Sequence, residues 1–366
     1  MIRLRRGRVL RLEAARPGVV ELVVEVDGRE EPALAYPPLT GPVGEGQTVL
    51  LNTTALAEGL GTGGYHFVVA VEGQPDVDPP VEGHVMKLRY TPVQAKVLAV
   101  EEPDGPHREA MEAIDGLDGL PVVWAPLHSM VGAVVAGARA AGAERVIYAM
   151  TDGAALPLWL SRQAAFLRDS GLLDATITCG QSLGGDLEAV NLFSGLLAAR
   201  GVADADVVVV ADGPGKVGTE TRWGASDVAA GMALNAVGIL EGRPVAALRI
   251  SFADPTYRHH GVSPHSLTTL SRVALVPVHV AVPALHDEQR SAVWEMLKDA
   301  GLEERHQLVE VTGQPALDVL RERGIEGETM GRRVEDDPAF FLAAGAAGVL
   351  AGRMAAASVR WKEQGA

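Results

Sequence analysis

Length, composition and charge exclude several classes of protein. The chain has 366 residues, 47% of them hydrophobic and 22% charged, which is the ordinary mixture of a globular protein with two or three domains and argues against intrinsic disorder. Its formal net charge of −15 argues against nucleic-acid binding, and its single cysteine excludes a disulfide framework and fits a reducing compartment.

Neither of the two stretches that could direct the chain to a membrane is sufficient. The basic segment at residues 1–8 leads into no apolar region of a secretory signal. The longest apolar stretch, residues 340–352, has 13 residues, fewer than the roughly 20 that a membrane-spanning helix needs. We therefore expect a cytoplasmic protein that contacts neither a membrane nor nucleic acid.

Residues 1–96 have the pattern of a small all-β domain. Alternating runs at residues 19–26 and 65–71 predict half-buried strands. Glycine and proline punctuate the segments between such runs, and there is almost no helical periodicity. We predict a small barrel or sandwich, in which the six arginines before Pro17 face solvent on an edge strand.

From residue 97 to residue 366 the pattern changes to strand, polar loop and helix. The intervals between predicted strands suit βαβ units of about 30 residues, with starts near residues 121, 145, 175, 206, 245, 273 and 306. The runs 207–211 and 273–276 are apolar throughout, as in parallel strands buried on both faces. We predict an α/β domain with a largely parallel, Rossmann-like sheet, flanking helices and close packing at three glycines of the last helix: Gly345, Gly348 and Gly352.

Polar residues follow five successive predicted strands, at the sheet edge where parallel α/β folds bind ligands. His128 follows the first strand, Asp152 the second and Ser182 the third. Asp212 and Asp254 follow the fourth and the fifth. Solubility alone does not account for five such loops, so we expect a site there.

The loop after the fourth predicted strand has the composition of an anion site. Glycines such as Gly213 and Gly215 let backbone amides approach a ligand closely, and Lys216 and Arg222 supply positive charge. The position of the lysine differs from that in a Walker A loop. The alternative is a tight glycine turn with two surface cations.

Three of the ten histidines lie within seven residues of the next loop: His259, His260 and His265. Protonated, the first two could join the neighbouring Arg258 around a phosphate or carboxylate, or they could act as acid and base. Neutral imidazoles could instead bind a metal ion with Asp254, Asp152 or Asp212, but the spacing matches no standard zinc signature and we predict no metal site. The remaining alternative is that hydrogen-bonded histidines stabilise a long loop.

Residues 180–184 form a Gly-x-Ser-x-Gly pattern between a predicted strand and a predicted helix. In α/β-hydrolases this pattern holds the nucleophilic serine, and an aspartate and a histidine follow it along the chain. Ser182, then Asp212 or Asp254, then one of the three histidines satisfies that order. No oxyanion loop of the His-Gly-Gly-Gly type precedes the pattern, and short glycine patterns arise easily in a chain with 42 glycines. A serine hydrolase is therefore an alternative.

Short motifs spread over nearly the whole chain carry a family resemblance. They lie at residues 50–55, 61–64, 150–153, 184–190, 213–215, 251–254 (with Arg258 and His259) and 330–332. Together they resemble a bacterial family known as domain of unknown function 3866. The resemblance implies no established reaction and leaves the cofactor unknown. The family is not counted among the hydrolases, so the resemblance lends no support to a nucleophilic Ser182.

Together these loops predict a site that binds and transforms an anionic small molecule. Three cations would create a local positive potential around the anion: Lys216, Arg222 and Arg258. Proton transfer would be carried out by a histidine, His259 or His260, together with an aspartate, Asp212 or Asp254. The other expected ligand contacts are His128, Asp152, Gly213, Gly215, Thr219 and His265. The non-enzymatic alternative is a metabolite-sensing or protein-interaction module, and assembly into a homo-oligomer stays open.

Overall fold

The chain divides into two units with separate hydrophobic cores. The structure, a computed structural model, describes residues 1–61, 63–219, 221–254, 256 and 259–364, with side chains up to residue 357. The first unit, here the barrel unit, comprises Met1–Glu82 and Met86–Lys96. The second, the sheet unit, comprises Gly83–Val85 and Val97–Ala366.

The barrel unit is a closed barrel of five strands in the order β1-β2-β3-β5-β4, which confirms the predicted small all-β domain and shows that it is a barrel and not a sandwich. Its elements are β1 (Leu4–Arg16), β2 (Val19–Val26), β3 (Arg29–Ala35), α1 (Pro37–Thr40), β4 (Thr48–Asn52), α2 (Thr54–Ala57) and β5 (His66–Val71). Alternating apolar side chains fill the barrel, among them Val9, Leu22 and Val24. Register shifts in β1 after Val9 and Leu12 let this long strand bend so that it pairs with both β2 and β4.

Of the six arginines along the start of the chain, Arg5, Arg6, Arg8 and Arg11 are exposed and Arg3 and Arg16 are half-buried, but β1 is not an edge strand. Because the barrel is closed, β1 has a partner on each side, so the edge-strand prediction is wrong. Arg3 and Arg5 lie 2.8 and 3.3 Å from the Asp27 carboxylate, and Arg6 lies 2.7 Å from Glu72. Local ion pairs on the outside of the barrel therefore account for these charges.

The sheet unit alternates strands and helices. Two short strands, β6 (Val85–Lys87) and β7 (Ala95–Val97), lie where the chain passes from one unit to the other. The strands that follow are β8 (Pro121–Trp124), β9 (Val146–Thr151), β10 (Ala175–Cys179), β11 (Leu187–Ala189), β12 (Val207–Asp212), β13 (Arg243–Ala247), β14 (Ile250–Ser251), β15 (Gly261–Val262), β16 (His279–Pro283), β17 (Gln307–Val311), β18 (Glu328–Thr329) and β19 (Arg332–Arg333). The helices are α3 (Arg108–Ala113), α4 (Val131–Ala140), α5 (Arg162–Asp169), α6 (Leu192–Gly201), α7 (Ser226–Ala230), α8 (Met232–Ile239), α9 (Pro264–Thr268), α10 (Asp287–Asp299), α11 (Gln314–Glu322) and α12 (Pro338–Gln364).

Eight strands form one parallel sheet in the order β11-β10-β9-β12-β8-β13-β16-β17, which confirms the predicted α/β fold. The chain enters the middle of the sheet at β8 and places β9, β10 and β11 to one side. It then returns to insert β12 beside β8 and crosses to β13 on the other side of β8. The loops after β12 and β13 therefore leave the sheet where the winding reverses, a position that opens a crevice for ligands.

Burial on both faces explains the apolar strands of this sheet. All six residues of β12 are buried. Val207 and Val209 join the core on one face of the sheet, whereas Val208 and Val210 join the core on the other. A strand in this position has no polar face, so its sequence shows no alternation.

The strand predicted at residues 273–276 is wrong. Val273 is the last residue of a π-helical turn, Thr269–Val273, residues 274–276 follow that turn, and the sheet strand is β16. Leu275 is 76% exposed, whereas Val280 and Val282 are fully buried. The apolar runs 273–276 and 280–282 lie close together in the sequence. Both are too short for the sequence alone to show which of them is the strand buried between helices. The short strand β11 has no counterpart among the predicted strands.

Among the described helices, α12 is the one long and apolar enough to cross a membrane by length and composition. Its apolar stretch, Pro338–Ala357, has 20 residues, more than the 13 expected, because alanines and glycines extend it. However, 78% of its most apolar window is buried inside the protein. Such burial is typical of a helix in a protein core.

Glycines let α12 pack directly on α4, in agreement with the sequence. A Cβ atom added to Gly348 would overlap the carbonyl group of Val134 and lie 2.9 Å from the Ala138 nitrogen. On the other helix, a Cβ added to Gly137 would overlap the Gly345 carbonyl oxygen. The two backbones are therefore too close to accept side chains at these positions.

We predict that Gly348→Ala lowers the free energy of unfolding by about 3 kcal/mol, because the new methyl group must push the two helices apart. Chemical denaturation followed by circular dichroism measures the loss. The control is Arg353→Ala on the exposed side of α12, which should change the free energy of unfolding by less than about 0.5 kcal/mol. Equal effects of the two substitutions would contradict the close packing.

Candidate functional site

The loops after β12 and β13 line a cavity of about 440 Å³ at the carboxyl edge of the sheet. Its other walls come from α9 and from the turn between β18 and β19. The lining residues are Lys216, Gly218, Thr219, Arg249, Asp254, Thr256, His259, His265, Met330 and Arg332. Five residues that the sequence singled out thus line one cavity: Lys216, Thr219, Asp254, His259 and His265.

Lys216 reaches the cavity from the glycine-rich loop and forms an ion pair with Asp227 of α7. The Lys216 side chain is 17% exposed and that of Asp227 is fully buried. Burial lowers the pKa of Lys216, and the negative charge of Asp227 opposes that shift. The lysine is therefore held on the cavity wall, not on the protein surface.

Arg249 and Arg332 form a second charged group with two aspartates. The Nη2 atom of Arg249 lies 3.4 Å from Asp254 Oδ2, and the Nη2 atom of Arg332 lies 3.5 Å from the same oxygen. Arg332 also places its Nε atom 3.3 Å from Asp337, which accepts a 2.6 Å hydrogen bond from the Ser251 hydroxyl. These contacts join the loop after β13 to β19 and to the start of α12.

Asp254 is held as a carboxylate in this group. Burial alone would raise its pKa, but the hydrogen bond from the Thr256 amide and the positive charge of Arg249 outweigh burial, so that the pKa is lowered. A carboxyl group that stays ionised near neutral pH holds arginines and does not donate protons. We therefore assign Asp254 to positioning the arginines.

Three cations line the described part of the cavity, Lys216, Arg249 and Arg332, and Lys216 is the one of them that the sequence singled out as a ligand-binding cation. Each of the three cations lies against a carboxylate. Arg222 is exposed and does not line the cavity, and Arg258 lies outside the described residues. Among the described residues, the arginines that line it are Arg249 and Arg332.

The histidines of the fifth loop separate. His259 is half-buried and His265 is buried, and both line the cavity, whereas His260 is exposed with its ring edge-on to Phe252. Burial lowers the pKa of His265, and the nearby charge of Asp227 opposes that shift. His265 is therefore neutral near pH 7, and its Nδ1 atom has no hydrogen-bond partner among the described residues.

Asp212 and Asp152 lie at the ends of β12 and β9, outside the lining of the cavity. Asp212 Oδ1 accepts hydrogen bonds from the Thr151 hydroxyl at 2.6 Å and from the Gly153 amide at 3.1 Å. Asp152 accepts a 2.8 Å hydrogen bond from the Gln181 amide. Burial raises the pKa of Asp212, although the Thr151 hydroxyl opposes the shift. These aspartates tie neighbouring loops together.

Two glycines shape the fourth loop without lining the cavity. Gly213 follows β12 so closely that a Cβ atom there would overlap the Ala155 carbonyl oxygen. Gly215 has a φ of +92°, a conformation that side-chain-bearing residues rarely adopt. Together they turn the chain sharply before Lys216. Thr219 lines the cavity wall, with its hydroxyl 2.9 Å from that of Thr221.

Ser182 does not have the surroundings of a hydrolase nucleophile. Its side chain is fully buried, with the hydroxyl 2.7 Å from the Cys179 carbonyl and 3.0 Å from the Met150 carbonyl. The segment after it enters β11 before any helix, whereas a nucleophile elbow turns directly from strand to helix and exposes its serine. The pattern serves a tight turn between adjacent strands.

His128 lies in a hydrogen-bonded cluster and does not line the cavity. Its Nε2 atom is 2.8 Å from the Ser161 hydroxyl and its Nδ1 atom is 3.1 Å from the Tyr148 hydroxyl. Tyr148 in turn donates to the Asp212 carbonyl at 3.1 Å. Burial lowers the pKa of His128 from 6.5 to about 4. This neutral imidazole joins β8, β9 and β12.

The described aspartates and histidines were expected either to move protons or to hold a loop together, and none of their arrangements in the described residues suits a metal ion. No group of three or more His, Cys, Asp or Glu side chains is arranged to hold a metal ion within the part of the chain that the structure describes.

The sequence analysis did not identify Arg249 as a site residue. Arg249 lies between apolar residues 246–248 and Ile250, and a charged residue inside an apolar run is the signal that could have identified it. Arg332 belonged to a family motif but had no assigned role.

We predict that protonation of His128 destabilises the fold in acid. The unfolded chain binds this proton near pH 6.5, whereas the folded chain binds it near pH 4. The free energy of unfolding therefore falls by about 3 kcal/mol as the pH is lowered from above 6.5 to below 4. Urea unfolding at several pH values measures this slope, which His128→Gln should flatten. His260→Gln is the exposed control, and a slope that neither substitution alters would contradict the assignment.

Comparison with known proteins identifies the family. A family described as a protein of unknown function (DUF3866) matches residues 32–348, which include every lining residue of the cavity. No curated protein and no solved structure matches the chain. The match confirms the resemblance carried by the motifs. The chain belongs to the DUF3866 family.

Proposed function

We propose that the sheet unit binds a small molecule bearing a carboxylate or a phosphate in the cavity between the loops after β12 and β13. The observation that carries this proposal is the state of Arg249. Its side chain is 7% exposed and lines the cavity. Its contacts with described residues are a 3.4 Å approach to Asp254 and a 3.8 Å approach to the Met330 sulfur, both through Nη2.

A buried guanidinium with such weak contacts favours an oxyanion ligand. Arginine has five N–H donors in a fork that matches the geometry of a carboxylate or phosphate. The contacts of the Arg249 side chain with described residues involve Nη2, so a ligand oxyanion beside Arg249 could accept hydrogen bonds from its other N–H donors and strengthen the compensation of this buried charge. Because each described cation of the cavity wall already lies against a carboxylate, we expect a small ligand with few charges.

Other lining residues give the ligand its surroundings. Arg332 and Lys216 add positive charge on the cavity wall, and Thr219 adds a hydroxyl. Acid–base chemistry on the bound molecule would fall to His259 and His265. His265 suits the role of proton acceptor, because burial lowers its pKa and keeps the imidazole neutral.

We predict that Arg249→Gln weakens binding of inorganic phosphate and of malonate by about 10- to 100-fold, the equivalent of one charge-assisted contact of about 1.5–3 kcal/mol. Isothermal titration calorimetry at constant ionic strength measures the affinity. Arg249→Lys should bind at an intermediate level, because it keeps the charge but loses the fork.

The matched control is Arg222→Gln, which removes an exposed arginine outside the cavity and should leave the affinity unchanged. Circular dichroism of each variant establishes that the fold is retained. Wild-type affinity in Arg249→Gln, or an equal loss in Arg222→Gln, would contradict the proposal.

A further inference from the structure

Lys216 is chemically unlike the other cations of the cavity. The chain has 27 arginines and five lysines, and arginine supplies the cation of most ion pairs between described residues. A guanidinium stays charged and is a poor nucleophile, whereas an amine can lose its proton and attack a carbonyl carbon. An arginine would satisfy Asp227 equally well, so the lysine points to amine chemistry.

Two features place Lys216 where such chemistry is useful. It lines the same cavity as Arg249, so a ligand held there by its oxyanion would lie beside the amine. Its ammonium group contacts the carboxylate of Asp227, which is fully buried. A proton acceptor is therefore already in contact with the nitrogen that must become neutral.

We propose that Lys216 forms a Schiff base with the carbonyl group of an oxo acid or an oxo phosphate. The inference rests on the proposed function, because the oxyanion of that ligand is the group that Arg249 would hold. It narrows the ligand to small molecules that carry both an aldehyde or ketone and an oxyanion.

The reaction balances with the groups present. The Lys216 ammonium gives a proton to Asp227, and the nitrogen lone pair forms a bond to the carbonyl carbon. The π electrons of the carbonyl bond move to oxygen, which takes a second proton from nitrogen and becomes a hydroxyl. Asp227 returns its proton to that hydroxyl, water leaves, and the C=N bond forms.

The electrostatics of the site support this role. Burial lowers the pKa of Lys216, and the positive charge of Arg249 adds to the shift, while Asp227 opposes it. Burial of Lys216 therefore favours the neutral amine that the attack on a carbonyl requires. Neutral His265, also on the wall, is a second acceptor for protons released from the ligand.

The experiment traps the Schiff base by reduction. The full-length protein is incubated with glyoxylate and sodium cyanoborohydride, and peptide mass spectrometry locates the reduced adduct. We expect glyoxylate to modify Lys216 about tenfold faster than acetaldehyde does, because acetaldehyde lacks the carboxylate that Arg249 would bind. Inorganic phosphate should protect Lys216, Lys216→Arg should remove the adduct, and Lys298→Arg should react as the wild type does.

The outcomes separate the two proposals. If phosphate binds equally well to the wild type and to Lys216→Arg, but glyoxylate modifies Lys216 no faster than Lys298, the oxyanion site stands and the Schiff base is wrong. If phosphate neither binds nor protects and glyoxylate shows no preference for Lys216, both proposals are wrong. Preferential, carboxylate-dependent and phosphate-sensitive modification of Lys216 supports both.

Discussion

Buried charge is the constraint on which the candidate site depends. Lys216, Arg249 and Arg332 are at most 18% exposed, and each must lie against a carboxylate because an unpaired buried cation is costly. Asp227, Asp254 and Asp337 supply those carboxylates. The contact between Arg332 and Asp254 joins distant segments of the chain, and the pairs together hold the three cations on the walls of one cavity.

The sheet makes this gathering of segments possible. Because β12 and β13 flank β8, the loops after them rise on either side of one strand and can face each other. The apolar cores on both faces of the sheet hold these strands in place. The loops that line the cavity are polar and irregular, but they begin at strands that are packed between these two cores.

Local patterns predicted the sheet and the edge that carries the site, but not the side chains that meet there. Apolar runs such as 207–211 gave the buried strand β12, and the parallel order brings the loops that follow the strands to one edge. Which cation enters the cavity depends on distant partners: Arg222 lies in the loop but faces solvent, whereas Arg249 pairs with Asp254. Ser182 shows the same limit, because its glycine pattern does not reveal that the hydroxyl is buried against the Cys179 and Met150 carbonyl oxygens.

The most direct test of the account is to locate an oxyanion in the cavity. Crystals soaked in selenate give an anomalous signal that marks the anion without prior assumptions about its site. The account predicts an anomalous peak beside the Arg249 guanidinium for a selenate whose oxygens lie about 3 Å from the guanidinium nitrogens, and no such peak in Arg249→Gln. Peaks confined to exposed arginines such as Arg222 and Arg353, with none beside Arg249, would contradict the central claim.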